Sequence, residues 1–462
     1  MGALNRAGIK PAPTFDCNDG LLSVSRVAIS LAGSSLLWDL PPQWEVMAAS
    51  RPAPLPALKD IPKALRERLE QPTGCLPLSS AGVAGKKIAI VIDDDTRPTP
   101  THLLLPELIK YLQCHGAKKE DMTLFVALGV HKGMASERLA RKTGDSAILG
   151  LRWENHDSSD RDKHVDLGVT KRGTRVLLNK GLMRADMIMC LGLIEPHPLA
   201  GFGGGLKMIL PGMAHKDTIA ENHMQGVRDS KRFNYVGAYE SPIRQDLEEG
   251  ALMLNKKIFI INVVQNDALE VCRIVAGDPI LAHREGANVS EAISSCLIDE
   301  PADVAITVSH PMDADLRQGA KCIANASPGV REGGIILAFL ECVNGLGDIR
   351  GSGSPIPINY GLMRMILKAI GDKNIFSFAN AVKKVEVEER FLANFSMHIS
   401  RKNAVFLYSP NLPSGTGSRI GLFRQFDEAS LMFKAAGRSA PKKAKVLFLP
   451  HGGASYLKVK SG

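Results

Sequence analysis

The sequence predicts an α/β protein of two domains, each a mostly parallel sheet with flanking helices, with the active site in the interdomain cleft. Three observations predict it. Short apolar runs of strand length alternate with segments of helical periodicity, the pattern of parallel sheets covered by helices. The alternation occurs in two series that meet near residues 265–280. The chain has 462 residues, room for two or three domains at roughly 150 residues each.

In the first series, Lys59–Glu70 has helical spacing and ends in a loop around Pro72–Pro77. Lys87–Ile92 is a short apolar run that stops at Asp93–Asp95. Thr101–Cys114 reads as a helix ending at Gly116. Thr123–Leu128 reads as a strand and Ser136–Thr143 as a helix. Arg175–Leu178, Met187–Ile194 and Lys257–Val264 follow as strands. In the second series Ile280–Cys296 is a long amphipathic helix. Val304–Val308, Ile335–Leu340, Ala404–Tyr408 and Lys445–Leu449 are strand-like, and Arg317–Ala326, Gly361–Ile370, Ala379–Ala393 and Glu428–Ala436 are helical. Residues 1–30 mix Pro and Gly without a period and read as a flexible N-terminal extension. The expected division is then 31–272 for an N-terminal α/β domain, 273–450 for a C-terminal α/β domain and 451–462 for a basic tail. No internal repeat of fixed period is visible.

Composition excludes several classes. At 45% hydrophobic and 23% charged residues, the chain is ordinary for a globular protein and not a disordered one. No apolar run approaches the roughly 18–20 residues that span a bilayer, so no membrane partner is expected. The N-terminus lacks a secretory apolar region, which points to a cytoplasmic enzyme. The net charge of +9 invites a nucleic-acid reading. Seven of those charges, however, are Lys434, Arg438, Lys442, Lys443, Lys445, Lys458 and Lys460, in a stretch from 431 to 462 without an acid. The remainder is near neutral and the basic end has no aromatic interleaving, so no nucleic-acid partner is expected. The eight cysteines contain no CxxC pair and read as reduced, mostly buried thiols, with neither a disulfide framework nor a zinc knuckle.

Four segments carry chemistry. Asp93-Asp94-Asp95-Thr96-Arg97-Pro98-Thr99-Pro100 puts three carboxylates and an arginine at the carboxyl end of a buried strand, the ligand end of an open α/β sheet. Arg97 suits a bidentate grip on a carboxylate or phosphate; the plain alternative is a solvated turn. His131, after Gly129 at the next strand end, is placed for acid–base work, although a lone histidine is more often structural. Residues 195–212, EPHPLAGFGGGLKMILPG, hold His197 between prolines, then a glycine run and Lys207. Consecutive glycines let backbone N–H groups approach an anion. The spacing is not that of a Walker A loop, and Lys207 suits either a phosphate contact or a covalent anchor. His223 reads on spacing as a helix histidine; as a metal ligand it would suit nickel, copper or zinc.

These motifs, together with ALGVHKGM at 127–134, DADLRQGAK at 313–321 and GGIILAFLECVNGLG at 333–347, resemble the nickel-pincer lactate racemase family over about residues 34–450, with gaps. The resemblance implies a nickel-pincer nucleotide (pyridinium-3,5-bisthiocarboxylic acid mononucleotide nickel) covalently attached at Lys207. It places Asp94, Thr96, Gly204 and Gly205 at the cofactor and His223 on the nickel. It makes His131 and His197 the catalytic acid–base pair. Arg97, Gln318 and Lys321 position the substrate, with Arg317 beside them. The implied partners are a small 2-hydroxy acid and the cofactor-synthesis enzymes; the oligomeric state stays open. The sequence departs from the family at Gly203, where many relatives have serine, and at Arg317, where the lactate enzyme has tyrosine. It also has no tryptophan beyond Trp153, so the second domain lacks the one that lines the lactate pocket. The expected reaction is therefore racemisation or epimerisation of a 2-hydroxy acid other than lactate, with a second anionic or polar group facing Arg317. The alternatives are a non-catalytic cofactor- or nucleotide-binding homologue, or another hydride transfer on the same cofactor.

Overall fold

A computed structural model describes residues 26–31, 33–47, 55–144, 150–228, 233–347, 349, 358–383 and 390–460. It is built on two six-stranded sheets. The first runs in the order Val271–Gly277, Lys257–Gln265, Met187–Leu193, Ile88–Asp93, Met122–Ala127, Arg152–Asn155. Its strands are parallel except for the antiparallel edge Val271–Gly277. All residues of Ile88–Asp93 and Met187–Leu193 are buried, as expected of central strands covered on both faces. The second sheet is parallel throughout: Arg424–Phe426, Ala404–Tyr408, Val330–Phe339, Ala302–Val308, Lys445–Leu449, Glu45–Val46. The mixed α/β class with parallel-rich sheets and flanking helices is the one the alternation predicts. Among the described residues, no helix is long and apolar enough to cross a membrane.

The chain distributes itself between the sheets differently from the expected division. Arg26–Leu31 forms a hairpin with Ser34–Asp39. Val27, Ile29 and Leu31 then share a core with Val304, Ile306 and Phe339 of the second sheet, so the extension expected over 1–30 ends in ordered strand. Val271–Gly277 closes the first sheet, and Leu281–Ser294 packs back on it. There, a Cβ on Gly286 would lie 2.4 Å from Ile194 and 3.0 Å from Val275. The first-sheet body therefore extends past residue 272. The expected tail contains Tyr456–Val459, paired in parallel with Ser295–Ile298. Its lysines have partners: Lys458 meets Glu291 at 2.6 Å and Lys460 meets Asp299 at 2.8 Å, while Lys445 pairs with Glu300. Three of the seven cations of the basic end thus pair with acids of residues 291–300. The single helix expected over Ala379–Ala393 is replaced by Asp372–Lys383 and Arg390–Lys402; residues 384–389 lie outside the described set. Cys75 and Cys114 are exposed and Cys190, Cys272, Cys296, Cys322 and Cys342 are buried; Cys17 lies outside the described residues.

Three histidines pack edge to face outside the sequence motifs: His156, His164 and His215. The His156 and His164 centroids are 5.3 Å apart, and those of His164 and His215 5.1 Å. His156 Nε2–H donates to the Ala214 carbonyl at 2.9 Å, and its Nδ1 accepts from Asn179 at 3.2 Å, so no site is left for a second proton. Burial lowers all three, His156 to about 4. A folded-state pKa below the unfolded one stabilises fully above the unfolded value and is lost as pH falls through the folded value. The fold is therefore expected to lose roughly 3 kcal/mol from His156 alone between about pH 6.5 and 4. Thermal melts across that range should show Tm falling with pH, and His156→Gln should flatten the slope.

Candidate active site

The loops at the carboxyl ends of the first-sheet strands meet the short helices Leu316–Gly319 and Lys321–Ala326, which follow the second-sheet strand Ala302–Val308. Between them lies a cavity of about 490 Å³. Asp94, Arg97, His131, His197, Gly204, Lys207, His223, Arg317, Gln318 and Lys321 all line it. Residues that stand up to 227 positions apart in sequence are thereby brought to one wall.

The Asp93–Pro100 loop is pinned from beneath. Asp93 is buried at the strand end, bound by the Thr99 hydroxyl and by Lys142 Nζ at 2.9 Å. Lys142 also donates to the carbonyls of Arg97 at 2.7 Å and Thr99 at 3.2 Å. One buried cation thus satisfies two carbonyls, pairs its charge with Asp93 and fixes the loop's shape. Lys142, on Ser136–Thr143, was not legible as a site residue because it is a lysine on a charged surface helix until the fold turns it inward.

The loop then presents Asp94 to His131, whose Nδ1–H donates to Asp94 Oδ2 at 2.6 Å. Asp94 Oδ1 accepts from the Thr96 backbone N–H at 2.9 Å and from the Thr96 hydroxyl. Burial opposes ionisation of Asp94, but the hydrogen bond and charge of His131, with the Arg97 charge, hold its carboxyl well below the usual carboxylate range. Asp94 is therefore an ionised partner of His131, and Thr96 stands behind it, off the cavity wall. With Nδ1 committed as donor, His131 Nε2 carries the lone pair.

His197 is set the other way. It lies in the small hairpin Pro196–His197/Gly201–Phe202. Its Nδ1 accepts from the backbone N–H groups of Leu199 and Ala200, each at 3.2 Å. The neutral ring therefore carries its proton on Nε2. Burial, joined by the charges of Lys207, Lys321 and Arg97, keeps this imidazole well below its usual range. The hairpin turns at Gly201, with φ +75°, where a Cβ would lie 1.7 Å from the Ala238 carbonyl oxygen; only glycine fits.

The glycine run is held by two residues that sequence reasoning passed over. Gly205 N–H donates to Asn262 Oδ1 at 2.8 Å, and His283 Nε2–H donates to the Gly203 carbonyl at 2.8 Å. A Cβ on Gly205, at φ +61°, would lie 2.7 Å from the His283 ring. Gly205 thus serves packing behind the wall, while Gly204 reaches the cavity. His283 was visible only as a helix histidine.

Lys207 follows on the 3₁₀ turn Gly205–Met208. Burial, with the charges of Arg97 and Lys321, drives its amine well below the ordinary lysine range. His223, on Lys216–Arg228, donates Nδ1–H to the Ile219 carbonyl at 2.6 Å, which leaves Nε2 as a lone-pair donor. Burial pushes this imidazole down to about 4.

Across the cavity, Arg97 Nη1 donates to Gln318 Oε1 at 2.8 Å. Lys321 Nζ donates to Glu195 Oε1 at 3.0 Å. Arg317 differs from both: its Nε is buried without a hydrogen-bond partner.

Comparison with known proteins identifies relatives of this chain. Residues 33–234 match the family model described as the lactate racemase N-terminal domain. The chain is 30% identical over 286 residues to a lactate racemase of Thermoanaerobacterium thermosaccharolyticum, covering 61% of this chain and 66% of the relative. It is 30% identical over 288 residues to a lactate racemase of Lactiplantibacillus plantarum, covering 62% of this chain and 67% of the relative. In structure it is similar to the lactate racemase apoprotein of T. thermosaccharolyticum. That TM-score is 0.76 at 23% identity, over 94% of this chain and 100% of the other. A protein of Thermotoga maritima matches with a TM-score of 0.63 at 18% identity, over 90% of this chain and 100% of the other. At those identities the structural matches speak for the fold, and the sequence matches carry the relationship: the chain belongs to the lactate racemase family.

Proposed function

We propose that the protein is a racemase or epimerase of a 2-hydroxy acid, acting by reversible hydride transfer with a nickel-pincer nucleotide attached at Lys207. The observation that carries this is the opposite proton polarity of His131 and His197 in one cavity that also holds a carboxylate clamp. A proton acceptor and a proton donor are what a hydroxyl-to-carbonyl interconversion needs at its oxygen. A pure binding protein would need neither.

The residues fit the cofactor the family implies. Among the described residues, no group of three or more His, Cys, Asp or Glu could hold a metal ion. A bare ion would find too few ligands, whereas a metal brought in already chelated by the pincer would need few donors from the protein. His223 Nε2 is such a donor, its ring fixed by the Ile219 carbonyl. The lowered proton affinity of the buried Lys207 amine suits covalent attachment. The cofactor, when bound, supplies the acceptor and returning source of hydride.

The chain's own residues do the remainder. Arg97 and Lys321 hold the substrate carboxylate, and Gln318 fixes the Arg97 fork. His131 Nε2 takes the hydroxyl proton, with Asp94 stabilising the imidazolium that results. His197 Nε2–H donates a hydrogen bond to the oxygen, and in the return step the His131 imidazolium gives the proton back, so His131 is base in one direction and acid in the other.

Arg317, a cavity cation with its Nε unsatisfied, supports a substrate with a second anionic or polar group in place of the lactate methyl. The test is a panel of 2-hydroxy acids with chiral product analysis, on protein made together with the cofactor-synthesis enzymes. Malate or an aldonic acid should turn over faster than lactate, and Arg317→Ala should raise KM for the preferred substrate at least tenfold. Faster turnover of lactate by the unaltered protein would defeat the substrate assignment.

A further inference from the structure

Glu195 has no part in the scheme above, yet it sits among the cations. It follows the strand Met187–Leu193, is 8% exposed and lines the cavity. Its Oε1 accepts from Lys321 at 3.0 Å and lies 3.6 Å from Arg97 Nε. Its Oε2 is buried without a hydrogen-bond partner. A buried carboxylate with one unsatisfied oxygen is costly, so the two cations must hold it in place. These are the same cations assigned to the substrate carboxylate. Arg97 and Glu195 come from first-sheet loops and Lys321 from a helix beyond a second-sheet strand, so one carboxylate ties the two faces of the clamp together.

The charges around Lys321 show why a counter-ion is needed there. Arg97 faces it, and Lys207 and His197 are close enough that its charge acts on both. Glu195 and Asp315 are the acids that favour its charged form, Glu195 the more strongly. Burial and the Arg97 charge already bring the Lys321 ammonium down to about 8. Like charges in a low-dielectric pocket repel strongly, and lysine, unlike arginine, yields by losing its proton.

We propose that Glu195 is the resident counter-ion of the carboxylate clamp, a positioning residue that fixes the charge and spacing of Arg97 and Lys321 and takes no proton from the substrate. The proposal rests on the carboxylate-binding part of the reading above and is independent of hydride transfer.

It is tested by calorimetric titration of lactate and malate into the full chain without cofactor, from pH 6 to 9. The unaltered protein should lose affinity above about pH 8, where Lys321 deprotonates. In Glu195→Gln that loss should move at least one unit lower, so that Kd at pH 9 is weaker than wild type by roughly tenfold per unit moved. At pH 6 the variant should bind as tightly as wild type or more so, because a repelling carboxylate has gone. Glu195→Asp should keep the wild-type profile. A uniform weakening at every pH, as from a purely structural residue, would overturn the proposal, and so would an unchanged profile. If Glu195→Gln does not fold, Lys321→Arg serves, because guanidinium does not titrate here. Its alkaline limb should vanish, and a limb that persists counts against the proposal. Racemisation by the loaded enzyme without this pH signature would overturn the Glu195 role alone. The signature without racemisation would overturn hydride transfer and leave Glu195 in place.

Discussion

Asp94→Asn is expected to lower turnover by roughly 10³–10⁴-fold while leaving substrate affinity near wild type. The reason is the direction of one hydrogen bond. His131 Nδ1–H donates to Asp94 Oδ2 at 2.6 Å, which leaves Nε2 free as the base. An amide in place of the carboxylate can turn its NH₂ toward Nδ1 and force the proton onto Nε2, the wrong tautomer for a base. It also removes the negative charge that stabilises the imidazolium. The Asp94 carboxyl is held well below the usual carboxylate range, so it is ionised throughout the neutral region, and protonation of Asp94 does not set the acid limb of the pH–rate profile. His131→Ala should cost as much or more, and the double variant little beyond the worse single one, since the pair acts as a unit. Steady-state kinetics of the three variants on holoenzyme checks this. Additive losses, or an Asp94→Asn effect confined to KM, would show that Asp94 serves binding and not the base.

That pairing also illustrates what the sequence could and could not say. Both residues were singled out from motifs, because a carboxylate cluster and a histidine at strand ends are informative by position alone. Their relation was not, because 37 residues and a helix separate them and only the parallel register of Ile88–Asp93 with Met122–Ala127 brings the two strand ends side by side. The same holds for Glu195. It was visible in the motif beside His197, but its partner Lys321 lies 126 residues away, on a helix beyond a strand of the other sheet. Lys142, Asn262 and His283 were invisible for another reason. Each supports a loop from behind, and a supporting residue carries no local pattern of its own. The strands with unbroken apolar runs were legible nearly to the residue, as Met187–Leu193 shows. The division of the chain between the sheets was not, because Glu45–Val46 and Tyr456–Val459 are short and take their place only by pairing with distant strands.

The second large effect concerns Lys207. In protein made together with the cofactor-synthesis enzymes, intact-mass analysis should show an adduct that maps to the peptide containing Lys207. Lys207→Arg should abolish both adduct and racemisation. The argument is again electrostatic. An exposed lysine is almost wholly protonated at pH 7 and is a poor nucleophile. Here burial and the charges of Arg97 and Lys321 push the amine well below that range, with Glu195 the opposing charge. The cations proposed to grip a carboxylate therefore also lower the proton affinity of the neighbouring amine. Arginine at 207 keeps a cation and comparable length but cannot act as a nucleophile, so it separates covalent attachment from charge. His223→Ala should divide the site differently. The adduct should remain while bound nickel falls, because the imidazole whose Nδ1 is tied to Ile219 is the protein's single donor in this reading. Loss of the adduct in His223→Ala would mean that the metal precedes the tether. An unmodified Lys207 in active protein would mean that the buried amine serves another end.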